Sequence, residues 1–136
     1  MSNNEFYAIV LTNNDKHCVE LLDKGMPCLS TDCKSVKTHF DFSPETYKDI
    51  ALGTMATRVL EYENIILNPV INELPDKDTM AILETILPVR GDRPIRFFPQ
   101  LADSSKLSES RVLEHFQDII SQYDIQNCTL KIQPNS

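Results

Sequence analysis

Three glycines, Gly25, Gly53 and Gly91, are all that this 136-residue chain contains, and each stands alone. A chain of average composition would hold roughly ten. Phosphate cradles need clustered glycines, because only there can backbone amides close on a charged ligand. Neither a P-loop nor a G-x-G-x-x-G turn can be built from isolated glycines. The nucleotide folds that rest on those turns are therefore excluded at the outset.

The length suits one domain with a proper hydrophobic core, 1–136, of which residues 1–4 are polar and expected to fray. Thirteen basic against twenty acidic side chains leave a net charge of −7. That balance argues against nucleic acid, which demands a positive footprint, and against an anionic membrane surface. No apolar run approaches the roughly 20 residues of a membrane span, and "MSNNEFYAIVL" lacks a basic region before its apolar run. These features predict a cytoplasmic protein with reduced thiols, in which the sequon at Asn127 is a chance match.

Along the chain, "EFYAIVLT" (5–12) reads as a buried strand closed by "NND". "DKHCVELLDKG" suits either a short helix ending at Gly25 or the return strand of a hairpin, and the strong turn residues favour the hairpin. "SVKTHFDFS" (35–43) alternates like a half-buried strand. Ser43 and Pro44 then form a cap-and-proline start for a helix drawn through residue 67. Asn68–Pro69 repeats that device and predicts a short helix "PVINEL". A further helix spans 75–87 up to Pro88, "PIRFF" (94–98) is extended, Ser108 caps a helix, and "NCTLKI" (127–132) closes as a strand. The fold class that follows is α+β: one mixed domain, with a small sheet covered on one face by three to four helices.

Two stretches advertise chemistry. "HCVELLDKGMPCLSTDCKSVKTH" (17–39) holds Cys18, Cys28, Cys33 and His39, the right number and type of ligands for zinc. Only Cys28 and Cys33 have knuckle-like spacing, however, and buried thiols acting as small hydrophobes are the simpler reading. The same stretch offers a thiol or a His39/Asp41 acid–base pair, against which stands a plain solvated strand face. "DKD" at 76–78 is explained more simply by helix capping than by metal binding.

The second stretch is "VRGDRPIRFFPQ". It gathers Arg90, Arg93 and Arg96 in an acidic chain and follows them with Phe97 and Phe98. Arginine beside aromatics is the composition of interface anchors. In addition, a helix reaching residue 67 would be apolar around more than half its circumference, as if buried on two sides. The reading that results is a non-enzymatic interaction module: an adaptor, assembly factor, inhibitor or complex subunit. Its partner would be another protein, basic if overall charge decides, in a homodimer or heteromeric complex. The alternatives are a small enzyme using Cys28, Cys33, His39 and Asp41, and a zinc-stabilised module.

Overall fold

The computed structural model describes residues 8–32, 43–102 and 106–133. Five parallel strands form one sheet: β1 (Ala8–Thr12), β2 (Cys28–Ser30), β3 (Asn64–Leu67), β5 (Ile95–Phe97) and β7 (Cys128–Leu130), in the order β2-β1-β3-β5-β7. Between them run α1 (Asp15–Asp23), α2 (Pro44–Arg58), α3 (Lys77–Arg90) and α4 (Glu109–Gln122). Two short strands, β4 (Val70–Ile71) and β6 (Gln100–Leu101), pair in parallel with each other. This is one mixed α and β unit. Counted along the five-stranded sheet, the strand order is 2-1-3-4-5, that of flavodoxin-like doubly wound domains. Glycine scarcity removes the phosphate cradle without removing the winding.

The helices divide between the two faces. Ile9, Leu11, Ile65, Leu67, Ile95 and Phe97 point to one face, where Met55 of α2, Ile82, Leu83 and Ile86 of α3, and Val112, Phe116 and Ile119 of α4 complete the main core. The Phe97 and Phe116 rings meet with centroids 6.0 Å apart. Each fully buried Ile, Leu or Phe there contributes about 1.5–3 kcal/mol relative to exposure. On the other face Val10 packs with Cys18 of α1 and Cys28, with Leu21, Met26 and Ile66 around them. No described helix is long and apolar enough to cross a membrane.

Several local expectations change. Residues 15–23 are helix α1 and not a return strand, because the Asn14 side chain accepts from the His17 N–H at 2.9 Å and so caps a helix instead of making a turn. Gly25, at φ +82°, then leads the chain back to the sheet. The helix drawn through residue 67 stops at Arg58 and tightens into a 3-10 turn, Val59–Glu61, before β3 begins. The stop comes from far along the chain: the Arg93 guanidinium donates to the Leu60 carbonyl at 3.0 Å and the Tyr62 carbonyl at 2.8 Å. The apparent excess of apolar surface thus came from joining a strand to a helix. Leu60 is half exposed, while Ile65 lies in the core.

Similarly, "PVINEL" supplies strand β4, and Pro88 sits inside the last turn of α3. Ser43 and Ser108 do cap α2 and α4, accepting from Thr46 and Arg111 N–H groups. The strand expected at 35–43 lies outside the described residues except for Ser43, which caps α2.

Candidate functional site at the carboxyl ends of the strands

In a doubly wound sheet the ligand crevice opens beyond the carboxyl ends of the strands, where neighbouring connections leave for opposite faces. Here that point lies between β1 and β3. From β1 the chain enters α1 on one face; from β3 it passes through β4 into α3 on the other. A polar cleft of about 450 Å³ lies there, lined by Asn13, Thr31, Asp32, Lys48, Asn72 and Asp78 among others.

The crevice is stitched by amides. Asn13 Nδ2 donates to the Val70 carbonyl at 3.1 Å, and its Oδ1 accepts the Val70 N–H at 2.8 Å. One side chain thereby prolongs the β1 edge against β4. The same Nδ2 lies 3.3 Å from Asp78 Oδ2, and Lys48 Nζ holds Asp78 Oδ1 at 2.9 Å. Farther across, Asn68 at the end of β3 donates from Nδ2 to Gln133 Oε1 at 3.2 Å. The sheet also continues past its prolines, with Gln100 N–H donating to the Pro69 carbonyl and Gln133 N–H to the Pro99 carbonyl.

What this arrangement can do chemically is limited. Thr12, Asn13, Asn14, Asn68 and Gln133 carry hydroxyls and amides, which neither give nor take protons near neutral pH. Asp78 is held in place by Lys48 and Asn13. Two buried atoms, Asn68 Oδ1 and His17 Nε2, have no hydrogen-bond partner among the described residues. The crevice can bind polar groups, and its described residues present no assembled nucleophile and base.

The residues singled out from sequence fall into three groups. Arg90 is buried and donates to the Arg93 carbonyl at 2.8 Å and the Gln126 carbonyl at 2.5 Å. Arg93 ties down the end of α2, and Phe97 is core. Arg96 is exposed and Phe98 half-buried, both on the sheet face opposite the main core. Cys18 and Cys28 come together as a buried pair; Cys33, His39 and Asp41 lie outside the described residues. The described residues hold no group of three or more His, Cys, Asp or Glu placed to bind a metal.

The face that carries Arg96 was not visible in the sequence. Strand register sets Val10, Ile66, Arg96 and Thr129 in one cross-strand row. Val10 lies under α1, whereas Arg96 and Thr129 are exposed, with Ile66 half-buried between Val10 and Arg96. Lys131, two residues beyond Thr129, is exposed as well. The signal overlooked was the apolar run ending in "NP", which, like the strand closed by "NND", ends a parallel strand at the crevice.

No family model matches this chain, and no match is found among the curated proteins or the solved structures.

Proposed function

We propose that the chain is a non-enzymatic protein-interaction module, an adaptor, assembly factor, inhibitor or subunit, that receives its partner on the half of the sheet beyond α1. The observation that carries this reading is the row Ile66–Arg96–Thr129, with Arg96 and Thr129 exposed. Parallel strands are ordinarily covered on both faces. Here a solvent-facing arginine stands between half-buried Ile66 and the similarly placed Phe98. Arginine and aromatic side chains grouped in this way are the usual anchors of interfaces.

Charge narrows the partner. The expectation of a basic partner rested on the net charge of −7, but Arg96 and Lys131 make this face locally positive. The complementary ligand is an amphipathic segment with carboxylates flanking an apolar stripe. The crevice supports the reading from the other side, since the amides of Asn13 and Asn68 there are engaged with Val70 and Gln133.

The test is selection from a displayed library of amphipathic peptides with acidic or basic flanks, using the wild type and Arg96→Glu as baits. Acid-flanked peptides should enrich on the wild type and weaken by about tenfold or more on Arg96→Glu. Equal binding to both baits, or enrichment of basic flanks, would contradict the proposal.

A further inference from the structure

Away from the crevice and the open face, the described residues hold one pair of nucleophilic side chains. Cys18, on α1, and Cys28, which opens β2, are both 6% exposed and share a small cluster with Val10. Their side chains pack together in that cluster, on α1 and β2 respectively. Both also line a mostly apolar cleft of about 250 Å³, whose walls include Val19, Leu22 and Ile50, each at least 40% exposed. The third described cysteine, Cys128, lies on β7 at the far edge of the sheet. A small neutral oxidant therefore has an apolar route to two adjacent sulfurs.

We propose that Cys18 and Cys28 form a two-electron redox site that takes a peroxide as oxidant and closes to a disulfide joining α1 to β2. Two thiols packed in one buried cluster and lining one cleft need only side-chain rotation to reach the ~2.05 Å bond. The roles are unequal. The neighbouring Cys28 thiol holds the Cys18 thiol below its ordinary range, against the opposing effects of burial and Asp15. Cys18 in turn, together with burial, pushes the Cys28 thiol up. Cys18 is thus the sulfur that reacts first, as its thiolate.

That thiolate attacks one peroxide oxygen, the O–O bond breaks, and the departing hydroxide leaves as water with the proton released from Cys18. Cys18 is now a sulfenic acid. The Cys28 sulfur attacks the Cys18 sulfur, the S–O bond breaks, and hydroxide takes the Cys28 proton to leave as a second water. Two thiols and one hydrogen peroxide become one disulfide and two waters. Two electrons have passed from sulfur to oxygen. The product staples α1 to the sheet beneath Val19 and Leu22.

The experiment treats the full chain with one equivalent of hydrogen peroxide and follows intact mass and non-reduced peptide maps. The expected result is loss of two hydrogens per chain, reversed by dithiothreitol, with a cross-linked peptide joining Cys18 to Cys28. Cys28→Ser should halt at the first step, leaving a Cys18 sulfenic acid captured by dimedone, while Cys128→Ala should oxidise like the wild type. The wild-type peptide map decides the matter alone if Cys28→Ser fails to fold. A cross-link to Cys33 or Cys128 would overturn the proposal, and so would addition of oxygen without any cross-link.

Discussion

The side-chain amide of Asn13 engages both backbone polar groups of Val70, donating at 3.1 Å and accepting at 2.8 Å across 57 residues of sequence. It completes a strand edge that the backbone, already turning into α1, can no longer supply. Asn13→Ala leaves that N–H and carbonyl without their partner and should cost about 1–3 kcal/mol, read as a lower urea midpoint at unchanged slope. Asn13→Asp keeps the acceptor but sets a second carboxylate beside Asp78. Its loss of stability should shrink as pH falls through the carboxylate range and the repulsion is titrated away.

Arg93 and Arg96 are three residues apart and should behave as opposites. Arg93 donates to the Leu60, Tyr62 and Arg90 carbonyls, so Arg93→Ala should destabilise by about 2 kcal/mol or more, with α2 fraying first in hydrogen exchange. Arg96 has no such occupation within the described residues, and Arg96→Ala should stay within about 0.5 kcal/mol of the wild type. A thermal melt of each variant compares them directly. An equal loss in both would show that Arg96 serves the fold.

A pH dependence follows from Asp76. Its carboxyl sits buried at the start of α3, takes the Thr79 hydroxyl, and has Asp78 nearby and His115 accepting its backbone N–H at 3.1 Å. Burial, the largest influence, pushes its pKa up to about 6 from 3.8. The folded state therefore holds this proton more tightly than the unfolded chain. Its stabilising contribution is complete below pH 3.8 and is lost as pH rises from there to about 6. The span corresponds to about 3 kcal/mol at most.

Asp76→Asn removes that term while keeping an acceptor for Thr79. The difference in unfolding free energy between variant and wild type should swing in favour of the variant across this window and then level off. His115 works in the opposite direction: burial lowers its pKa from 6.5, so its contribution is present above 6.5 and lost as pH falls through the lowered value. Because His115 is common to both proteins, its effect cancels in the difference. A difference that stays flat from pH 4 to 7 would contradict the buried carboxyl.

What was legible in the sequence was local. Ser43–Pro44 and Ser108 announce helices α2 and α4 because a cap and its first turn lie within four residues. The end of α2 was not legible, because Arg93 supplies it from 31 residues beyond Tyr62. Asn14 and Asn68–Pro69 carry signals that a hairpin turn, a helix start and a strand end all share. For Asn14 the deciding contact is the local cap on the His17 N–H, whereas for the β3 end it is distant: Gln133, reached by Asn68 Nδ2, and Leu11, whose carbonyl accepts the Asn68 N–H. The open sheet face was hidden for a further reason. Ile66, Arg96 and Thr129 become neighbours through parallel register alone, which no spacing in the sequence records.

The most direct test of the account is a titration of isotope-labelled protein with an acid-flanked amphipathic peptide, followed by amide chemical shifts. The predicted result is a set of perturbations confined to Ile66, Arg96, Phe98, Thr129 and Lys131, and absent from Arg96→Glu. Perturbations centred on Asn13, Asn68 and Gln133, with that face unchanged, would place function in the crevice and contradict the reading of this chain as an interaction module.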